Sequence, residues 1–278
     1  MHEGLKKRVF NCIVESEDRW TLPTLLHHLS QIDPAPKTEI KNAIRQLVNA
    51  GALTWVYEHG CSFIERSFAG PVPLSKRVII KPPHIRYDPR TDEIVVKLHP
   101  GASFGNGRHP TTRLAVRGLD DLLSENSTAC AGKMKDILDI GSGSGVLLIT
   151  ALHLGVEKGI GIDTDPCARA ETLKNIHANG FSGRGEAADG GLSSFRQPFS
   201  LVTANLRLPS LLKLSQKIAS LIEDEGFAVL SGIKTEEVED LKIAYRKNGF
   251  MPVWERSEKG WAAVVLQKLR FEKRGPKT

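Results

Sequence analysis

A glycine-rich turn that follows a short apolar run is the feature of this 278-residue chain most able to support chemistry. The run Ile137–Ile140 predicts a buried strand, and the apolar segment after Gly145 predicts a helix. A strand, a glycine-rich turn and a helix in succession commonly form the binding site for an adenosine cofactor. Glycine is needed in such a turn where φ is positive or where a Cβ would collide with the ligand. We therefore expect Gly141, Ser142, Gly143 and Gly145 to contact such a cofactor.

The spacing of these glycines argues against two common phosphate-binding loops. A dinucleotide fingerprint that starts at Gly141 would place its third glycine at position 146, which is Val146. A P-loop would end in Gly-Lys-Ser or Gly-Lys-Thr, and neither follows the turn. The sequence therefore disfavours a pyrophosphate ligand such as NAD.

A carboxylate ends the next predicted strand, which runs from Gly159 to Asp163. At that point it can accept hydrogen bonds from both hydroxyls of an adenosyl ribose, so we assign Asp163 to the cofactor. The alternative is that Asp163 caps the helix that begins near Pro166, but Asp165 is better placed as the cap. Asp139 is expected to hold the turn or the amino group of a methionyl moiety.

Strands and helices alternate from residue 136 onward, which predicts an α/β fold with a largely parallel sheet and helices on both faces. The last two predicted strands, 251–256 and 261–268, are separated by Glu258-Lys259-Gly260. That spacing predicts an antiparallel hairpin at the end of the sheet.

The first 70 residues predict a separate domain. Helical patterns begin near Leu5, Thr21 and Thr38, and two strand-like runs, Ala52–Glu58 and Cys61–Phe68, follow them. Three helices and a hairpin are typical of a winged helix, which we predict over 1–70. Residues 71–90 hold five prolines, so we expect an extended linker in which 77–81 could pair as an edge strand. The second domain is expected over 91–278.

The composition, 40% hydrophobic and 25% charged, is that of an ordinary globular protein. No apolar stretch is long enough to cross a bilayer, and we expect no membrane partner. The formal net charge is +6, but residues 268–278 hold five basic residues and one acidic residue, as expected of a solvated tail. The four cysteines are far apart, which predicts reduced thiols in the cytoplasm and no metal site; they are Cys12, Cys61, Cys130 and Cys167.

The stretch from Leu98 to Thr112, with its Phe-Gly-Asn-Gly-Arg-His-Pro-Thr-Thr end, resembles the motif that precedes the core sheet in PrmA-type ribosomal-protein methyltransferases. Those enzymes methylate amino groups on a large-subunit ribosomal protein. Further matches follow in the family's order, at 139–145, 161–166, 202–206 and 230–233. The resemblance covers residues from about 77 to the end. It implies a seven-stranded, Rossmann-like methyltransferase sheet and S-adenosyl-L-methionine as cofactor.

The resemblance also implies cofactor contacts from Thr112, Gly141, Asp163 and Asn205. Thr112 lies at the start of a predicted amphipathic helix, where free backbone donors can hold a carboxylate. Asn205 ends a predicted strand, and its amide oxygen could accept a hydrogen bond from an incoming amine and aim the nitrogen lone pair at the methyl carbon. We therefore predict Asn205 as the catalytic residue. The alternative is that Asn205 caps the helix that starts at Leu208.

Three residues depart from the family's pattern. His99 stands where the family has a small acidic residue, Arg108 where it has threonine, and Arg207 where it has a small or aliphatic residue. Both arginines are expected on the substrate side, and they leave the cofactor motifs intact. The front domain departs further, because the family carries a different α/β module there.

Two functions therefore stay open. One is a protein methyltransferase whose amine substrate is presented by the front domain. The other is a nucleic-acid-associated methyltransferase, or a nucleic-acid-binding protein, that uses the winged helix. Its contacts would come from Lys37, Lys41 and Arg45, which share one face of the third predicted helix. Asn205-Leu206 lacks the Pro-Pro-aromatic continuation that serves flipped bases, so we favour a protein substrate.

Overall fold

Two units make up the structure, a computed structural model that describes residues 2–16, 18–58, 60–124 and 134–270. They comprise Met1–Pro71 and Val72–Thr278, and the front domain was expected to end at residue 70. Cys130 and the tail after residue 270 lie outside the described residues. Within the described part, no helix is both long enough and apolar enough to cross a bilayer.

The first unit has three helices and a hairpin, as expected, with one additional short strand. Its elements are α1 (His2–Glu15), β1 (Trp20–Thr21), α2 (Leu22–Ile32), α3 (Lys37–Asn49), β2 (Leu53–Glu58) and β3 (Cys61–Arg66). The strands form an antiparallel sheet in the order β1-β3-β2. The assignment of this unit to the winged-helix class stays a prediction.

Local capping and a small core explain the helices of the first unit. The Thr21 side chain accepts a hydrogen bond from the amide of Thr24, and the Thr24 side chain accepts one from the amide of Thr21, so α2 begins with a capping box. One apolar face of each helix packs against the hairpin. The buried residues include Leu5, Val9, Ile13, Leu25, Leu29, Ile40, Ile44, Leu53 and Ile64.

The second unit begins with a small sheet, where the sequence predicted an extended linker. Its strands are β4 (Val72–Pro73), β5 (Val78–Lys81) and β6 (Ile94–Lys97). The central strand is β5, which pairs antiparallel with β4 and parallel with β6, so residues 77–81 are not an edge strand. All four residues of β5 are buried, and this burial outweighs the influence of the prolines around them.

The main sheet of the second unit confirms the predicted fold class. It has seven strands in the order β12-β13-β11-β10-β7-β8-β9, and only β13 runs antiparallel to its neighbours. The strands are β7 (Asp136–Ile140), β8 (Lys158–Ile162), β9 (Gly185–Ala188), β10 (Phe199–Asn205), β11 (Ile222–Lys234), β12 (Phe250–Glu258) and β13 (Trp261–Lys268). The helices are α4 (Pro110–Leu122), α5 (Val146–His153), α6 (Pro166–Ala178), α7 (Leu208–Ser220) and α8 (Val238–Arg246).

The parallel strands bring the predicted site residues to one edge of the main sheet. Strand β10 is buried from its first residue to Ala204, as expected of a parallel strand covered on both faces. Thr203 pairs with Asp139 on β7, and Ile140 pairs with Ile162 on β8. The residues that follow these three strands therefore meet at the carboxyl edge, where ligands of open α/β sheets bind.

Candidate functional site

A cavity of about 480 Å³ lies at the carboxyl edge of the main sheet. Four of the residues predicted from the sequence line it, namely Gly141, Gly143, Asp163 and Asn205. The other lining residues include Leu206 and residues 102–104 of the segment that leads from β6 to α4. The structure thus gathers half of the predicted cofactor contacts around one space.

The glycine turn is shaped by its own backbone and by neighbouring chain segments. Gly141, Gly143 and Gly145 have φ values of 72°, 54° and 78°, in the left-handed region that favours glycine. A Cβ on Gly143 would collide with the carbonyl oxygen of Phe104, and one on Gly141 would approach the Leu206 side chain to 2.9 Å. The glycines are therefore required for protein packing before any ligand is considered.

Asp163 faces the cavity and supports the turn at the same time. Its Oδ2 accepts a hydrogen bond from the amide of Gly143 at 3.0 Å, and its Oδ1 accepts one from the amide of Asp165 at 3.0 Å. Asp165 caps α6 by accepting from the amide of Cys167 at 2.8 Å, so the helix-cap alternative for Asp163 is not what the structure shows. A carboxylate has about four lone-pair sites, so capacity for ribose hydroxyls remains.

Asp139 lies beneath the turn and does not line the cavity. It is 1% exposed, and its Oδ1 accepts a hydrogen bond from the Thr203 hydroxyl at 2.7 Å. Its Oδ2 accepts from the amide of Leu148 at 3.4 Å. Burial raises the pKa of Asp139 to about 6, the two hydrogen bonds oppose that rise, and the charge of Asp163 adds to it. Of the two roles expected for Asp139, the structure supports the local one, which ties β7, β10 and α5 together.

Three other predicted contacts, Ser142, Gly145 and Thr112, are not among the residues that line the cavity. The hydroxyl of Ser142 is buried and pairs with that of Thr172 at 3.0 Å, and Gly145 stands at the start of α5. Thr112 is fully buried, and its Oγ1 has no hydrogen-bond partner among the described residues. Ser142 and Gly145 belong to the turn itself, and Thr112 belongs to the first turn of α4.

Asn205 lines the cavity at the end of β10 with its amide uncommitted. Its side chain makes no hydrogen bond within the described part of the chain, and it is half-buried. Helix α7 begins after Arg207 and has no side-chain cap, so the alternative role of Asn205 as a cap is not observed. Both polar atoms of the amide are therefore available to a ligand.

An aromatic row continues from the cavity wall, and it includes Phe104 and His109, which the sequence motif had placed beside the cofactor or the loop. The ring of Phe104, which lines the cavity, lies 5.3 Å from the ring of His109, and His109 lies 4.7 Å from the ring of Trp261. His109 Nδ1 accepts a hydrogen bond from the amide of Thr111, and burial, followed by the charge of Arg113, lowers the pKa of His109. His109 thus orients the start of α4 as a neutral side chain.

The charges that line the cavity favour a cationic or hydroxyl-bearing ligand over a phosphate. Asp163 and Asp165 carry negative charge, and none of the described lining residues is Lys, Arg or His. Anion-binding sites in proteins use those cations or helix amino termini, and the amino terminus of α6 beside the cavity is already capped by the carboxylate of Asp165. The donor set therefore fits a ligand with ribose hydroxyls and a positive centre, such as the sulfonium of S-adenosyl-L-methionine, and disfavours a pyrophosphate. Across the described residues, no group of three or more metal-ligating side chains occurs.

We expect Thr203→Val to raise the pKa of Asp139 above about 6, because it removes a hydrogen bond to the charged carboxylate. An unfolded aspartate has a pKa of about 4. The stabilisation linked to protonation of Asp139 is thus full below about pH 4 and is lost as the pH rises through about 6. In the variant this loss extends to higher pH. Carboxyl NMR titration and urea unfolding across pH 4–8 measure both effects.

Thr150→Val is the matched control, because the Thr150 hydroxyl is also buried but has no hydrogen-bond partner among the described residues. It should leave the titration of Asp139 unchanged. An unchanged Asp139 pKa in Thr203→Val would mean that the hydroxyl does not stabilise the carboxylate.

Comparison with known proteins places the chain in a family. The family model described as ribosomal protein L11 methyltransferase (PrmA) matches residues 64–269. The L11 methyltransferase of Heliobacterium modesticaldum is 29% identical over 228 residues, which cover 82% of this chain and 70% of the relative. That of Alkaliphilus oremlandii is 30% identical over 235 residues, which cover 81% of this chain and 72% of the relative.

A solved structure agrees with these relatives. The ribosomal protein L11 methylase of Lactobacillus delbrueckii subsp. bulgaricus superposes with a TM-score of 0.64 at 25% identity, over 72% of this chain and 100% of that one. Residues 2–63 lie outside the family match. With the sheet order, the cavity and the matched range in agreement, the chain belongs to the ribosomal protein L11 methyltransferase (PrmA) family and is an S-adenosyl-L-methionine-dependent methyltransferase.

Proposed function

We propose that this chain transfers the methyl group of S-adenosyl-L-methionine to an amino group of a protein substrate, with a ribosomal protein as the first candidate. The observation that carries the proposal is the uncommitted amide of Asn205 in a cavity whose charged lining residues are Asp163 and Asp165. The relatives named above are ribosomal protein L11 methyltransferases, which supports a ribosomal substrate.

The proposed roles divide between residues that hold the cofactor and one that orients the acceptor. Asp163 would hold the ribose hydroxyls of the cofactor, and the backbone of Gly141 and Gly143, which line the cavity, would contact it. The bound cofactor supplies a methyl group on a positively charged sulfur. Asn205 Oδ1 accepts a hydrogen bond from the neutral acceptor amine and holds the nitrogen lone pair in line with that methyl group. A carbon–nitrogen bond forms as the carbon–sulfur bond breaks, and the product ammonium releases its proton to solvent.

Asn205→Ala should slow methyl transfer at least tenfold, which corresponds to about 1.4 kcal/mol of transition-state stabilisation, and should change cofactor affinity by less than about twofold. The reason is that the amide orients the acceptor and leaves the donor to Asp163. Single-turnover kinetics with labelled cofactor measure the rate, and calorimetry measures the affinity.

Ser210→Ala provides the control, since Ser210 is exposed in the first turn of α7 and lies outside the cavity lining. It should retain full turnover. Normal turnover in Asn205→Ala would assign the orientation of the amine to another group.

We further propose that the first unit selects the substrate. Between residues 1 and 71 the sequence has eight basic and eight acidic residues, so the unit carries no overall charge for a phosphate backbone. Trp55 and Tyr57, on the same face of β2, are 45% and 74% exposed. Exposed aromatic side chains of this kind anchor protein–protein interfaces, which favours a protein partner.

Nucleic acid remains the second candidate partner because of one observation. Lys37, Lys41 and Arg45 are exposed and four residues apart on α3. Such a stripe could contact phosphates.

Mass spectrometry of cell lysate incubated with the enzyme and an isotope-labelled methyl donor tests the proposed function. A labelled ribosomal protein is expected with the full chain. A truncated protein that starts at Val72 should bind the cofactor but lose methylation of that protein. Full activity of the truncated protein on the same target would show that the first unit does not select the substrate. Label found only in nucleic acid would refute the proposal that the substrate is a protein.

Charge reversal separates the two partners of the first unit. If the partner is protein, Lys41→Glu with Arg45→Glu should leave duplex binding weak and its salt dependence small. Steep salt dependence in the unmodified chain, flattened by the double change, would instead identify nucleic acid as the partner.

A further inference from the structure

Helix α6 and its C-cap residue Asn179 present a row of polar side chains to the backbone of residues 97–104, here named the leading segment. Asn179 forms two hydrogen bonds with Lys97, accepting from its amide at 2.8 Å and donating to its carbonyl at 2.7 Å. Asn175 accepts from the amide of His99 at 2.8 Å. Four residues advance a helix by about 6 Å and two advance an extended chain by about 6.6 Å, which explains this register.

Asn175 also connects the leading segment to the glycine turn. It is fully buried, and its Nδ2 donates to the carbonyl of Ser144 at 2.9 Å. The amide of Ser144 in turn donates to the carbonyl of Phe104 at 2.9 Å. These three hydrogen bonds link His99 and Phe104 through Asn175 and Ser144, so they hold both residues of the leading segment against the turn.

Glu171 completes the row one helical turn before Asn175, at the part of the leading segment that lines the cavity. Its Oε2 accepts a hydrogen bond from the amide of Ser103 at 3.2 Å, and Ser103 and Phe104 both line the cavity. Gly101 leaves the room for this carboxylate, since a Cβ at that position would overlap it. A side chain at position 101 would therefore displace the carboxylate end of Glu171 from its present place beside Ser103.

We propose that Glu171 and Asn175 are positioning residues for the cofactor, which act through Ser103 and Phe104 to fix one wall of the cavity. This inference rests on the proposed function, because the ligand is the same S-adenosyl-L-methionine. Neither side chain lines the cavity, so an effect on cofactor affinity would be transmitted by the wall. Asn175 is fully buried, so its substitution would also destabilise the fold. Glu171 is partly exposed and can be substituted with less effect on stability.

The test uses Glu171→Ala, Glu171→Gln, Gly101→Ala and the double variant Gly101→Ala with Glu171→Ala in the full chain. Glu171→Ala removes the acceptor for the Ser103 amide, and Gly101→Ala displaces the carboxylate from the other side. Each should weaken S-adenosylhomocysteine binding about tenfold with little change in Tm. Glu171→Gln keeps an acceptor oxygen and should bind within about twofold of wild type.

The double variant provides the sharpest result. Once the Glu171 side chain is absent, the added methyl group at position 101 has space, so the double variant should bind no more weakly than Glu171→Ala alone. Amide hydrogen exchange at Ser103 gives a second readout, with faster exchange in Glu171→Ala and protection kept in Glu171→Gln.

Opposite outcomes separate this inference from the proposed function. Wild-type affinity in Glu171→Ala would overturn the positioning role. An affinity about a hundredfold below wild type in the double variant, the product of the two single effects, would overturn it as well. Loss of affinity matched by a large fall in Tm would assign Glu171 to fold stability and would also overturn it. Failure of the wild-type chain to bind S-adenosylhomocysteine would instead refute the cofactor, whatever the Ser103 exchange shows.

Discussion

Two neighbouring amides of the glycine turn are hydrogen-bonded by two distant segments of the chain, and the cavity takes its form from that arrangement. Gly143 donates to the carboxylate of Asp163 after β8, and Ser144 donates to the carbonyl of Phe104 before α4. An unmade hydrogen bond to a buried backbone group costs about 1–3 kcal/mol, so these amides hold both segments firmly. Because the Phe104 carbonyl occupies the space of a Cβ, residue 143 can only be glycine.

Negative charge in and under this turn explains which ligand the cavity accepts. Asp163 faces the cavity, and Asp139 lies buried below it with a raised pKa that reflects both burial and the charge of Asp163. A phosphate in the cavity would meet the carboxylates of Asp163 and Asp165 without a compensating cation among the described lining residues. The ribose hydroxyls of S-adenosyl-L-methionine would instead donate hydrogen bonds to a carboxylate, and negative charge would attract its positively charged sulfur. Electrostatics and backbone geometry thus select the same class of cofactor that the family match indicates.

Sequence periodicity predicted the main sheet and the residues at its strand ends. It missed the features that depend on packing between segments far apart in the chain. Strands β10 and β13 begin and end where their apolar runs do, and Asn205 lies at the predicted strand end. The strands β6 and β9 were not predicted, and prolines suggested a linker where buried β5 forms. The burial of Thr112 away from the cavity lining and the hydrogen bond from the Ser103 amide to Glu171 depend on residues tens of positions apart, which no local pattern encodes.

Calorimetric titration of S-adenosylhomocysteine into the wild-type chain and into Asp163→Ala tests whether Asp163 holds the cofactor. Asp165→Ala is the control, because Asp165 also lines the cavity but serves as a helix cap. We expect one site in the wild type, binding weakened by about 1–3 kcal/mol in Asp163→Ala, and a smaller change in Asp165→Ala. NAD should give no heat. Equal affinity in a folded Asp163→Ala variant, or tight NAD binding without S-adenosylhomocysteine binding, would contradict this expectation.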